Sequence, residues 1–186
     1  MFLRVITTNT GKFREIAKFF EGLDIQLEMH SVELLEIQAE SLEAVVVRKL
    51  ASVDARLGNC LVDDSGLFID ALSGFPGVYS SYAYRTIGVN GVSRLMEGVE
   101  NRTARFECVF GLRLNNLQYF FKGVCRGRIA EKPRGSGGFG FDPIFVPDGY
   151  SQTFAELPTE EKNRISHRGK ALLYLRKFLE ERVEKN

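Results

Sequence analysis

Between Phe106 and Leu114 the even-numbered residues Phe106, Cys108, Phe110, Leu112 and Leu114 are all apolar. An alternation that strict reads as an extended strand with one face on a core. Asn115-Asn116 follows as a turn, and Leu117 to Lys122 and Val124 to Ala130 continue as strands, so the second half of the chain is rich in sheet. The first half reads differently. A strand from Phe2 to Thr8 leads into a helix from Gly11 with Phe13, Ile16, Ala17 and Phe20 on one face; a strand at Ile25 to Met29, a helix from Ser41 to Leu57 closed by Gly58, and a short strand entering Asp63 follow. A final amphipathic helix carries Ala171, Leu172, Leu175, Phe178, Leu179 and Val183 along one side. This order predicts one α/β domain over residues 1–186, with a mixed, long and twisted sheet flanked by helices, and two lobes with a central cleft.

At 186 residues and 44% hydrophobic content the chain can bury one sizeable core. A net charge of +1 argues against a broad polyanion-binding surface, so no nucleic-acid polymer is expected as partner. The three cysteines, Cys60, Cys108 and Cys125, are odd in number and lack C-x-x-C or Cys/His spacing, which argues against a disulfide framework or a zinc site and for a reducing, cytoplasmic setting. No apolar run approaches membrane-spanning length, so no membrane is expected either.

Four segments carry chemistry. Cys60-Leu-Val-Asp-Asp-Ser-Gly-Leu67 ends an apolar run in two adjacent carboxylates, Asp63 and Asp64, at what reads as a strand end before a Ser-Gly turn. Like charges that close suit either solvent or a divalent cation. Thr7-Thr8-Asn9-Thr10-Gly11-Lys12 joins a strand to a helix and offers backbone N–H groups and a lysine to an anion, although it lacks the earlier glycine and the Ser or Thr of a Walker A loop. Pro133 to Pro143 contains the letters G-x-G-x-x-G from Gly135 to Gly140, yet it runs into another strand rather than a helix, which refuses the dinucleotide reading. What remains is a glycine loop whose Phe139 and Phe141 either stack on a planar base or tuck into the core. Glu160 to Lys170 places Lys162, His167 and Arg168 before and at the start of the last helix, with Ser166 as N-cap; cations there want an anion or an electron-rich ligand nearby.

Taken in order, the Thr-x-Asn-x-x-Lys loop, Asp-Asp-Ser-Gly-Leu followed by Gly74-Phe-Pro-Gly77, Phe-Gly-x-Asp-Pro and Lys-Asn-x-x-Ser-His-Arg resemble the inosine triphosphate pyrophosphatase family, also called the Ham1 family, from Thr7 to Arg168. The resemblance implies hydrolysis of noncanonical purine nucleoside triphosphates (ITP, dITP, XTP) to the monophosphate and pyrophosphate, and a homodimer. By the same resemblance Asp64 is the proton acceptor; because a carboxylate on a metal is a weak base, the alternative is that Asp64 orients a metal-activated water. Glu36 and Asp64, helped by Asp63, are oxygen donors of the kind Mg²⁺ prefers; Glu33 and Glu40 are the other acids of the loop around Glu36. Lys12, Lys162 and the backbone from Thr8 to Gly11, entered through Thr7, would hold phosphates, and Ser65 would touch the nucleotide. Base selection would fall to Phe139, Asp142, His167 and Arg168, with Gly140 and Phe141 in the same loop. Arginine carries donors only, so it accepts a 6-oxo purine and opposes the 6-amino group of adenine. Rival readings are a Maf-like pyrophosphatase of other specificity and a nucleotide- or RNA-binding module without catalysis.

Overall fold

A computed structural model describes residues 1–34 and 37–183. Its strands are β1 (Phe2–Ile6), β2 (Gln26–His30), β3 (Cys60–Ile69), β4 (Thr103–Leu114), β5 (Leu117–Ile129) and β6 (Phe145–Pro147); its helices are α1 (Thr10–Phe19), α2 (Leu42–Ser52), α3 (Ser80–Thr86), α4 (Gly88–Leu95), α5 (Thr159–Ile165) and α6 (His167–Val183). Among the described residues the strands form one sheet in the order β2, β1, β3, β4, β5, β6. It is mixed, as predicted: β1 pairs parallel with β2 and β3, whereas β5 pairs antiparallel with β6.

The chain divides into two compact units, matching the two lobes predicted. Unit 1 comprises Met1–Asp64, Cys108–Gly123 and Gly169–Asn186, and unit 2 comprises Ser65–Glu107 and Val124–Arg168. β3, β4 and β5 each run through both.

In unit 1 the alternation of β4 is realised as packing. Cys108, Phe110, Leu112 and Leu114 join Leu3 and Val5 of β1, Leu61 of β3, Ile16 of α1 and Phe20 at its C-cap, and Ala171, Leu172, Leu175 and Leu179 of α6 in one core. At roughly 25 cal/mol per Å², burying each large aliphatic chain contributes about 1.5–3 kcal/mol. The Asn115–Asn116 turn has φ of 50° and 65°, the left-handed pair a two-residue hairpin of this twist requires. Ser41 caps α2 by accepting from Ala44 N–H at 3.3 Å. α2 stops at Ser52, short of the predicted Leu57, because Val53 turns extended before a separate turn of 3₁₀ helix at Ala55–Leu57.

Unit 2 packs α3 and α4, through Ala83 and Val92, on Leu67 and Ile69 of β3, Phe106 of β4, Cys125 and Ile129 of β5, and Phe141, Ile144, Phe145 and Phe154. Phe106 contacts Phe145 and Phe154 at centroid distances of 4.8 and 5.9 Å, a three-ring cluster at its centre.

Candidate active site

Asp63 and Asp64 do not end a strand: β3 continues through both and through Ser65-Gly66 to Ile69. The Ser-Gly pair that reads as a turn in sequence is extended here. Its glycine is required by packing, since a Cβ on Gly66 would lie 2.3 Å from the Gly77 carbonyl oxygen. Consecutive strand residues point to opposite faces, so the two carboxylates are separated rather than stacked. Each has its own cation. Lys12 Nζ donates to Asp63 Oδ2 at 2.9 Å, and Lys49 Nζ donates to Asp64 Oδ1 at 3.1 Å.

Lys49 is a site residue that the sequence reading missed. It sits on the buried face of α2 with Leu42, Val45, Val46 and Leu50. A lysine inside an apolar stripe is the signal that could have found it, because lysine is seldom buried without a partner. Burial pushes the Asp64 carboxyl above the usual 3.8, an effect countered by Lys49 and Lys12 and reinforced by Asp63.

Lys12 is delivered by the loop after β1. Thr7 N–H donates to the His30 carbonyl at 3.2 Å, Asn9 N–H to Thr7 Oγ1 at 3.1 Å, and Lys12 N–H to Asn9 Oδ1 at 3.0 Å. Asn9 is thus the N-cap and α1 begins at Thr10, one residue earlier than predicted. Thr8, Asn9, Thr10 and Gly11 are exposed, which leaves the loop backbone accessible at the positive end of α1. Of the acids in the loop before α2, Glu33 and Glu40 are exposed, and Glu36 lies outside the described residues.

The other predicted residues gather in unit 2. The glycine loop divides its two aromatics: Phe141 is buried, with Tyr84 edge-on at 5.6 Å, while Phe139 remains 46% exposed. The Phe139 ring is flanked by two cations, Lys162 Nζ at 4.7 Å and the Arg168 guanidinium carbon at 5.3 Å from its centroid. Arg168 Nη2 donates to Ser65 Oγ at 3.4 Å. His167 is buried and stacks on Phe106 at 4.7 Å with planes 12° apart. Ser166 stands in extended conformation directly before α6, the N-cap position predicted for it, and also ends the short helix α5. Asp142 is buried and accepts from Lys162 Nζ at 2.6 Å and from Phe139 N–H at 2.8 Å. Gly140 takes a φ of 61° between the two phenylalanines.

Among the described residues no group of three His, Cys, Asp or Glu side chains is arranged to hold a metal. The acids of unit 1 nonetheless suit a hard cation, since both offer carboxylate oxygens.

The profile of the Ham1 family matches residues 3–178. A protein of Thermococcus kodakarensis named dITP/XTP pyrophosphatase is 48% identical over 99% of this chain and 100% of its own length, and one of the same name from Pyrococcus horikoshii is 51% identical over 90% of each. Among solved structures, a Ham1 protein of Staphylococcus aureus superposes with a TM-score of 0.85 at 28% identity, covering 98% of this chain and 100% of its own. The HAM1 protein of Coxiella burnetii gives 0.85 at 33% identity over 97% and 100%.

Proposed function

We infer the function from one premise: the chain belongs to the Ham1 family. It is a nucleoside-triphosphate diphosphatase that hydrolyses noncanonical purine nucleoside triphosphates, ITP, dITP and XTP, to the monophosphate and pyrophosphate, clearing them from the nucleotide pool. The observation that carries this reading is that full-length relatives named dITP/XTP pyrophosphatase share about half their residues with a chain whose two adjacent acids are each served by a lysine.

The chemistry divides by role. Water attacks the α-phosphorus, the bond to the bridging oxygen breaks, and the electron pair leaves with pyrophosphate. Negative charge therefore grows on the leaving group, and cations must meet it. Lys12 and the N–H groups of the loop from Thr8 to Gly11 receive phosphate oxygens. Lys12 beside Asp63 and Lys49 beside Asp64 bring positive charge to the place where the phosphates would bind. Asp64 orients the attacking water and accepts its proton. Mg²⁺, held by Asp64 with help from Asp63 and from Glu36, would supply charge neutralisation and a more acidic water.

Base choice falls to unit 2. Phe139 offers an exposed ring for stacking, and Arg168 and His167, fixed at the start of α6, supply donors to a 6-oxo purine. Adenine would oppose its 6-amino group to an arginine donor; a buried unpaired donor costs about 1–3 kcal/mol, roughly tenfold to a hundredfold per mismatch.

The enzyme is also read as a homodimer working in the cytoplasm. Supporting the compartment, Cys60, Cys108 and Cys125 are in no disulfide, and no helix among the described residues is long and apolar enough to cross a membrane. Pyrophosphate release measured across ITP, dITP, XTP, ATP and GTP, with and without Mg²⁺, tests the assignment; equal rates on ATP and ITP would reject it.

A further inference from the structure

We propose that Asp142 and Lys162 form a latch that holds Phe139 rigid for base selection, and that Lys162 is committed to this latch rather than to the triphosphate. The proposal rests on the functional reading above and assigns both residues a positioning role.

The geometry is specific. A single carboxylate oxygen, Asp142 Oδ2, accepts from Lys162 Nζ at 2.6 Å and from Phe139 N–H at 2.8 Å, while Asp142 N–H donates back to the Phe139 carbonyl at 3.2 Å. Phe139 is therefore tied through both backbone groups although its ring is exposed. The same ammonium lies over the Phe139 ring at 4.7 Å and faces Phe154 at 5.8 Å, a cation held between two aromatic faces and a carboxylate. Both charged side chains are buried, where an ion pair is costly to form and more costly to break by removing one partner. The loop is shaped to the carboxylate: Gly138 has a φ of 71°, and a Cβ there would stand 2.0 Å from Asp142 Oδ2. Only glycine lets the backbone close over the acid.

A glycine loop with an exposed ring gives a poor stacking surface if it moves, because ordering it on binding costs affinity. The latch removes that cost beforehand. Its loss should weaken binding of purine nucleotides while leaving base-free polyphosphate unaffected.

The test uses the full chain, with KM and kcat for ITP and ATP and the inhibition constant of inorganic tripolyphosphate, for wild type, Asp142→Asn, Lys162→Met and the double variant. The expected result is a KM for ITP raised about tenfold to a hundredfold in each single variant with a smaller change in kcat, a reduced ITP/ATP ratio, tripolyphosphate inhibition within twofold of wild type, and a double variant no worse than the weaker single one. Weaker tripolyphosphate inhibition in Lys162→Met would overturn the proposal by making Lys162 a phosphate ligand. Should the wild type not hydrolyse ITP, the functional reading fails separately, and tripolyphosphate binding by calorimetry still decides the role of Lys162. Amide exchange in the wild type provides a check independent of variant folding: the Phe139 amide should be protected and its resonance moved by IMP, and a fast-exchanging Phe139 amide would overturn the latch.

Discussion

Lys49 Nζ lies 3.1 Å from Asp64 Oδ1, so the acid at the centre of the reading is met by a cation from the apolar face of a helix. With Lys12 on Asp63, the pair of adjacent carboxylates becomes two ion pairs on opposite sides of one strand.

Lys49→Met should lower kcat for ITP by about 10² to 10³, the usual cost of deleting one donor aimed at developing charge. Lys49→Arg keeps the charge in a different shape and should restore only part of the rate. Steady-state kinetics checks both, and a Lys49→Met enzyme within twofold of wild type would remove Lys49 from the site.

Two aspartates of unit 1 should titrate on opposite sides of 3.8 in metal-free protein. Burial raises Asp64, whereas hydrogen bonds from Arg56 lower exposed Asp54 to about 2. The folded state thus holds the Asp64 proton more tightly than the unfolded chain, so the contribution of Asp64 to stability is full below 3.8 and is lost as pH rises through its folded midpoint. Asp54 has the reverse sign: its contribution is present above 3.8 and lost as pH falls toward about 2. Carboxyl ¹³C NMR reads both midpoints, and excess Mg²⁺ should pull the Asp64 midpoint down. An Asp64 midpoint at or below 3.8 without metal, or one unmoved by Mg²⁺, would contradict the assignment.

Much of this was legible because periodicity reports burial directly. Cys108, Phe110, Leu112 and Leu114 join Ala171, Leu172, Leu175 and Leu179 of α6 in one core as the periodicity predicts, whereas Phe106 joins the core of unit 2 and Glu107, Val109 and Gly111 between them are buried as well. Asp63, Asp64, Lys12, His167 and Arg168 stood out because charged groups crowded at element junctions need a reason. Tertiary contacts hid the rest. Ser65-Gly66 looks like a turn, yet the approach of the Gly77 carbonyl, remote in sequence, is what demands the glycine. Lys49 shows in sequence only as a lysine inside an apolar stripe, and its partner Asp64 comes from a strand that the helix pattern does not reveal. Phe139 and Phe141 are indistinguishable in sequence, and only packing sends one outward and one into the core.

Arg168→Ala should reduce kcat/KM for ITP strongly and for ATP little, so that the ITP/ATP ratio narrows. Lys12→Ala should weaken all triphosphates by similar factors, because phosphate contacts carry no base information. Parallel kinetics on ITP and ATP separates the two, and an equal loss on both substrates in Arg168→Ala would assign that residue to phosphate or to structure.

Gly66→Ala should destabilise the fold by about 1–3 kcal/mol, since its new methyl must displace the Gly77 backbone rather than a flexible side chain. Urea unfolding measures this directly, with a midpoint shift and no change in slope expected; an unchanged midpoint would mean that the segment around Gly77 yields freely.

The most direct test follows ITP with Mg²⁺ by ³¹P NMR, with no added pyrophosphatase. IMP and pyrophosphate should appear in equal amounts, without IDP and without orthophosphate, and no products should form when Asp64→Asn replaces the wild type. Accumulation of IDP with orthophosphate would reject cleavage at the α-phosphorus, and undiminished turnover by Asp64→Asn would reject the role of Asp64.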